Sequence, residues 1–551
     1  MNTTSGDVHI KCIKDESVEL YENNVKRLET TTSGINVTGA IQVNGAALAS
    51  GNSVDLVADG AIAAGKAVII TSAGKAKQVA EVDGLKSTIT HGNAERLSNQ
   101  GSGSDCKYTR HTFDAQNGTY LTIARYDNMN GAVRIQNWGR NTNGNLTTGN
   151  ILNLFNPGSP YSGGSECQIE YLGSGKSVAI YMDNNNNQAL IAHVITGAQS
   201  NGTPSAGSGT AISNGVGINN GITTFWRTDI CRIDNTKFAV AWTTTSGGTM
   251  KLAVGTISGT SVTMGTVFQA SEGGYGPSLA WDSTNSRLIL TYNEQSSMRY
   301  HTFSISGTTL TNVQAGQTAV SSTEQGGVTY LSTVDKFVMA YTDGSGSNPI
   351  KAVVGTLNTG NGTVAWGTAL TISGTQKGQW PRLCPIEAVS GGFAMVYEND
   401  DANRGDIKTA IVSGTSVTSL SNRLEIMGNP TDVNVDCSYN STDKQVGVSY
   451  RNTSGNGNQS GTIVSTMPVV GTSNLTNGHT NCVGFAEDAI SDGNTGTIKT
   501  LGNVVGNQSG LSAGSTYYVE GDGTLSSGGH QSLAGGLALS STTLLIQRKM
   551  V

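Results

Sequence analysis

Residues 277–314 read PSLAWDSTNSRLILTYNEQSSMRYHTFSISGTTLTNVQ. The stretch parses into four short strands: PSLAWD, a tight turn STNS, RLILTYN, then MRYHTFSI, with a fourth beginning at TLTNVQ. No helical spacing of apolar residues interrupts it. The second strand ends on a large aromatic, Tyr292, and the arrangement recurs along the chain. Tyr126 in YLTIARY, Tyr181 in SVAIYMD, Trp242 in KFAVAWT, Tyr341 in KFVMAYT, Tyr397 in GFAMVYE and Tyr450 in QVGVSYR mark equivalent strands. A repeat of about 50 residues with four strands per unit marks a propeller rather than a sandwich or solenoid. One unit alone leaves strand edges unsatisfied, so radial packing of neighbours must stabilise the array. The expected fold is all-β, with a seven-bladed β-propeller over residues 91–479. Within each blade the strands are named A to D from the centre outwards.

The composition suits this reading. Among 551 residues there are 73 Gly and only 9 Pro, and 13% of residues are charged. Short strands joined by many tight turns need such a mixture. The net charge of -6 offers no footprint for nucleic acid or an acidic membrane. No apolar run approaches the ~20 residues of a membrane span, and MNTTSGDVHIKC lacks the basic start and apolar core of a signal peptide. A soluble protein made in a cytosol is expected.

The seven cysteines include no CxxC pair, which removes a metal-knuckle reading. Cys167, Cys231, Cys384 and Cys437 fall 14, 11, 13 and 13 residues before their blade's aromatic, in strand A. There they are expected to be core thiols, since Leu279 and Val328 hold the matching positions in two other blades. The histidines are scattered without i, i+2 or i, i+4 pairs, and His111, His193 and His301 fall within expected strands as packing residues. No metal and no cofactor is expected.

Two segments flank the repeat. Residues 1–50 form very short, weakly apolar runs (VHIKCI, SVELY, VKRLET, INVTG, IQVNG), too polar to bury a core within one chain. Winding around copies of themselves would solve that problem. The IAAGKAVII of residues 62–70 matches the LSAGSTYYV of residues 511–519. Residues 51–90 and 480–551 are therefore expected to form one small β-barrel or β-roll into which the propeller is inserted, since propeller termini lie close together. Strand D of the last blade is doubtful in MPVV, and residues 86–98 are expected to supply it.

The stretches SVELYENNVKRLETTTSGINVTGAIQVNG and GNQSGLSAGSTYYVEGDGTLSSG, the latter followed by AGGLALSSTTLLIQ, resemble elements of tail fibres and related virion proteins of tailed bacteriophages, especially marine and cyanobacterial ones. The resemblance covers the two ends only. It implies a virion location, a homo-oligomer, expected to be a trimer, joined through residues 1–50, and other virion proteins as partners.

Nothing resembles a nucleophile elbow, a P-loop or a dinucleotide fingerprint. Strand A offers Asp114, Glu170, Asp234, Asp282 and Glu387, but most sit at the A-to-B turn, where Asp stabilises turns. A visible carboxylate pair facing a channel is missing, so no enzyme is expected. The B-to-C connections are longer and polar, and they share a face with the D-to-A connections. On that face Trp226, Tyr275 and Trp380 precede strand A, beside Asp183, Asn185, Asp343, Asp400, Asp401 and Arg404. Exposed aromatics next to such groups compose a sugar-binding surface, because a pyranose offers an apolar face for stacking and hydroxyls for polar contacts. The competing reading has the aromatics filling gaps between blades and the acids solvating turns.

The favoured function is thus a tail fibre or receptor-binding appendage whose propeller meets a host-surface glycan or protein. The alternatives are a capsid or tail decoration protein without a receptor role, and a glycan depolymerase on a propeller scaffold.

Overall fold

Strands such as Lys237–Thr243 carry apolar side chains at nearly every position, and all but the first residue of that strand are buried. A strand covered on both faces needs this composition. The computed structural model describes residues 10–12, 18–22, 25–31, 34–37, 42–43, 46–47, 53–71, 73–79, 82–96, 106–126, 131–141, 145–155, 167–183, 189–197, 202–213, 228–244, 248–344, 346–402, 404–419, 421–428, 435–454, 458–466, 468–473, 482–519, 523, 525–527 and 534–548. Two compact units result: Asp83–Gly471, and Met1–Val82 together with Thr472–Val551. The only helical element among the described residues is a 3-10 turn, Asp400–Ala402.

The larger unit is a β-propeller. Its sheets are antiparallel and run A-B-C-D in sequence order, each built on one of seven inner strands. These A strands are Cys106–Asp114, Cys167–Gly173, Thr228–Arg232, Tyr275–Asp282, Thr323–Leu331, Gly378–Pro385 and Asp436–Asn440, in blades numbered 1 to 7. Each packs against the next, and the last returns to the first. Blade 7 takes its outer strand, His91–Arg96, from the opposite end of the repeat, with Ala94 opposite Val464 and Glu95 opposite Ile463. This lies within the 86–98 stretch expected to supply it.

The repeated aromatic of strand B is buried in every blade. In blades 2 to 7 it sits in a core shared with the preceding blade: Tyr181 belongs to one core with Leu121 and Ile135 of blade 1, and Trp242 to one with Val178 and Ile180 of blade 2. Tyr126 of blade 1 joins Phe113, Tyr120 and Trp138 of its own sheet. Two of the expected packing histidines serve these rings. His193 and His301 stack on Tyr181 and Tyr292, and Tyr292 Oη lies 3.1 Å from His301 Nε2.

Polar side chains stitch the inner ring. Thr112 accepts the Tyr171 N–H (3.1 Å), Asp229 the Leu279 N–H (2.8 Å), Ser278 the Val328 N–H (3.1 Å) and Asp436 the His111 N–H (3.2 Å). Gln325 accepts from Trp380 N (3.3 Å), Gln168 donates to Thr228 O (2.9 Å), and Cys437 Sγ donates to Arg382 O (3.7 Å). Every junction between neighbouring inner strands is bridged in this way, pairing backbone groups that parallel neighbours cannot ladder.

A second device joins the outer edges. In blades 2 and 5 strand D is broken at Gly207 and Gly367. A Cβ there would lie 1.9 Å from Thr260 O and 2.3 Å from Thr415 O, the carbonyls of the next blade's C-to-D turn. Glycine is the residue that admits so close a backbone approach.

In the smaller unit two five-stranded antiparallel sheets pack together. One runs Ser53–Val57, Thr495–Lys499, Cys482–Ala486, Ala67–Ile70, Ala76–Gln78, so both flanks of the repeat share it; the other is drawn from residues 504–548. Phe485, Val505, Tyr517, Val519 and Leu544 form their common core. The matched segments play matched parts: Gly65 and Gly514 turn with φ +73° and +82° into Ala67–Ile70 and Thr516–Val519. A third copy, ISDGNTGTI from Ile490, escaped the sequence reading. Its Ile490 pairs with Ile62 through reciprocal 2.8 Å backbone bonds.

Residues 10–37 make a separate four-stranded meander of Ile10–Cys12, Val18–Glu22, Val25–Thr31 and Gly34–Val37. Register places Ile10 opposite Leu20 and Leu20 opposite Leu28, a row of apolar residues on one face. Ile10 and Leu20 are exposed there. The other face holds a polar cluster in which buried Glu19 accepts from Tyr21 Oη (2.8 Å) and Lys26 Nζ (3.1 Å), with Lys26 also bonded to Glu29.

Candidate functional site

The expected site residues divide when placed. Trp226 and Asn185 lie outside the described residues. Tyr275 opens strand A of blade 4 and is exposed, at 42%. Partial desolvation of the ring pushes its phenol pKa up, and the charge of Glu324 in the next blade adds to this. In blade 6 Lys377 binds Asp400, Gln379 Nε2 donates to Asp400 (2.6 Å), and Asp401 accepts the Lys377 N–H (2.7 Å). Lys377 also feels Glu324, so blades 4, 5 and 6 bring Tyr275, Glu324, Lys377, Asp400 and Asp401 into one neighbourhood.

Three of the expected residues play other parts. Trp380 is a correction: it is only 7% exposed, with φ +53°, and therefore presents no face for stacking. Its backbone N–H donates to Gln325 of blade 5 at 3.3 Å, which sets it in the junction between the two blades. Asp343 is buried and paired with Lys351 Nζ at 2.5 Å. Arg404 is bound by Asp406 (3.1 Å) and Glu425 (3.0 Å) inside blade 6. Asp183 ends strand B of blade 2 opposite Ala189, half-buried, away from the group around Tyr275.

The opposite end of the propeller carries what the sequence reading missed. The inner strands surround a cavity of about 570 Å³ that runs from the level of Gln168, Asp229, Ser278, Arg382 and Asp436 to the A-to-B turns. At its floor Arg382 of blade 6 reaches Asp229 of blade 3, with Nη1 3.3 Å from Oδ1. These blades are not neighbours, so the pair crosses the lumen. Burial pushes the Asp229 carboxyl upward, while Arg382 and the Leu279 N–H oppose this.

Two residues nearer the mouth stands Glu170. Burial, then Asp229 and Asp436, push its pKa up to about 8, so it holds its proton at neutrality. At the following register position lie Tyr171, Trp281, Tyr330 and Tyr439, opposite Ser177, Leu288, Phe337 and Val446. All four line the cavity near its rim. A signal for this collar existed in the sequence. The four aromatics stand 10, 11, 11 and 11 residues before their blade's strand B aromatic, a spacing as regular as that of the cysteines.

Carboxylates do therefore face a channel, contrary to the expectation from sequence. Asp114, Asp234 and Asp282 behave as expected and cap the A-to-B turns, Asp282 for instance accepting the Asn285 N–H at 2.8 Å. Glu170 instead enters the lumen, where Asp229 and Asp436 are held by backbone N–H groups of the next blade. The channel thiols Cys231 and Cys437 are buried, and burial pushes their pKa well up, which makes them poor nucleophiles. His111 is buried against Ser449, with Nδ1 3.0 Å from Oγ, and burial depresses its pKa. Among the described residues no group of three or more His, Cys, Asp or Glu side chains is arranged to hold a metal ion.

No family model matches the chain, and no curated protein matches it. The solved structures similar to it include a protein from Lactobacillus plantarum, at 13% identity over 61% of this chain and 87% of that one, with a TM-score of 0.41. The WD40 domain of Toxoplasma gondii coronin is 8% identical over 73% of this chain and 92% of its own, with a TM-score of 0.38. The fucose-specific lectin from Aleuria aurantia is 13% identical over 62% and 99%, with a TM-score of 0.34. Likenesses this distant leave the function to be argued from the chain itself.

Proposed function

We propose that the chain is a structural protein of a tailed-phage particle, a tail fibre or comparable appendage, whose propeller binds a carbohydrate on the host surface. Residues 1–50 would join copies of the chain into a trimer and connect it to other virion proteins. The observation that carries this reading is the meander of residues 10–37. Ile10, Val18, Leu20 and Val25 are each at least 37% exposed, on a small sheet whose polar residues are already satisfied on its other face. Short strands with an uncovered apolar row gain stability by packing against copies of themselves. The resemblance of the two chain ends supports the same reading. So does the group around Tyr275, an exposed ring that feels the charge of Glu324, as does the Lys377 bound to Asp400, aromatic and polar chemistry of the kind that grips a pyranose.

The test is the mass of the purified protein by light scattering, for the full chain and for Leu20→Asp. A trimer that falls to monomers on substitution supports the appendage reading. A monomer in both cases removes it and shifts the weight to a decoration protein that docks on an existing assembly.

A further inference from the structure

The lumen at the A-to-B end is built unlike a mere assembly channel. Its stitching needs only the polar residues at the floor, whose partners are backbone groups of neighbouring blades. The layers above add a different chemistry: a half-buried acid, then a collar of aromatic rings, of which Trp281 and Tyr439 are only partly packed into the cores behind them. The ion pair between Arg382 and Asp229 spans the lumen at the inner end of this space. Its volume of about 570 Å³ falls in the range of small-molecule sites.

We propose that this pocket binds the terminal residue or two of a neutral sugar chain, its apolar ring face against Trp281 and its hydroxyls toward Glu170 and Asp436. The inference rests on the carbohydrate reading above, but locates a site at the opposite mouth from Tyr275. Neutral rather than acidic sugars follow from charge. Arg382 is engaged by Asp229, and Arg232 donates to Asn235 Oδ1 at 2.6 Å, while Asp436 and Glu387 also line the wall. A sialic acid or a sulfated sugar would meet the carboxylates of Asp229, Asp436 and Glu387 beside these guanidinium groups. Glu170 retains its proton near neutrality and so can donate to a hydroxyl, while Asp436 accepts from one. The collar differs from blade to blade, with Arg232 and Pro385 taking the aromatic's register position in blades 3 and 6, so the site favours one ligand orientation.

The experiment presents the full-length protein to immobilised neutral hexoses, deoxyhexoses and N-acetylhexosamines, with sialylated and sulfated glycans alongside. Two variants probe the pocket. Trp281→Leu removes the stacking face, and Ser283→Trp places a bulky side chain at an exposed turn position on the mouth without touching a core. Retention of at least one neutral glycan, lowered tenfold or more by both variants, is the expected result. Because Ser283 is exposed, loss in that variant reports on blockage rather than unfolding. Three results overturn the pocket: no neutral glycan retained, a preference for anionic glycans, or Ser283→Trp binding as the unsubstituted protein does. If Ser283→Trp binds normally and Tyr275→Ala does not, the lumen site fails while the proposed function stands.

Discussion

The propeller and the N-terminal meander solve the same problem in opposite ways. Both are built from short antiparallel strands with apolar rows, and both leave a lone unit with uncovered surface. In the propeller each blade's face is covered by the next, as Trp242 is by Val178 and Ile180, and the ring ends by pairing His91–Arg96 with Asn458–Thr466. The meander has one sheet, and no second copy of it occurs among the described residues, so Ile10 and Leu20 stay exposed. Repetition within one chain makes stability a property of the monomer. On the appendage reading proposed above, a single unit would defer it to assembly. Substitutions should therefore act on different observables in the two regions, on unfolding in one and on mass in the other.

The largest effect is expected at a strand B aromatic. Trp242→Ala empties a fully buried site between blades 2 and 3, and a loss of about 3–5 kcal/mol is expected in chemical denaturation followed by tryptophan fluorescence and circular dichroism. A loss below about 1 kcal/mol would mean that the blades do not depend on this shared core. A smaller effect is expected at the outer edge. Gly207→Ala sets a methyl against the Thr260 carbonyl and should cost about 1–3 kcal/mol, as overpacking does. The neighbouring Gly259 is the contrast: a Cβ there meets nothing within 4 Å, but its φ of +61° disfavours any side chain, so only conformational strain is at stake. If the two substitutions cost the same, the close approach between blades is not what holds the outer edge.

Period and edge chemistry were legible before any coordinates. The spacing of Tyr126, Tyr181, Trp242, Tyr292, Tyr341, Tyr397 and Tyr450 reports a packing requirement that recurs in every blade, and such a requirement leaves a periodic trace. The IAAGKAVII and LSAGSTYYV pair left a trace for the same reason, although the two stretches enter different sheets of the smaller unit. The site was less legible, because exposure is set by where a strand begins relative to its neighbour. Trp380 and Tyr275 stand at the same distance, 17 residues, before their blades' aromatics, yet one is buried and the other open. Glu170 was read as one more acid near a turn, although Asp114 and Asp282 lie deeper in the turn and bind its N–H groups. What separates them is one or two residues of register, which composition does not encode. The pair of Arg382 and Asp229 joins residues 153 positions apart across a lumen, and no local pattern announces it.

Glu170 offers the finest way to sharpen the contrast, because its effect is a pH slope confined to the propeller. Its carboxyl ordinarily titrates near 4.5, and in the folded chain burial, Asp229 and Asp436 raise this to about 8. Between those values the folded protein keeps a proton that the unfolded chain has released, so the unfolded state binds fewer protons and stability falls as pH rises. Below about 4.5 both states are protonated and above about 8 both are ionised, and the contribution becomes flat. Asp229 and Asp406 are also raised, and His111 is depressed, so the whole-protein profile mixes several slopes. The difference between the unsubstituted protein and Glu170→Gln isolates one of them, since glutamine imitates the neutral acid in size and polarity. Thermal unfolding of both across pH 4 to 9 should show the variant gaining on the unsubstituted protein as pH rises through that window. A constant difference would mean that the carboxyl is already ionised in the fold, and that the lumen is wetter and more polar than its aromatic collar implies.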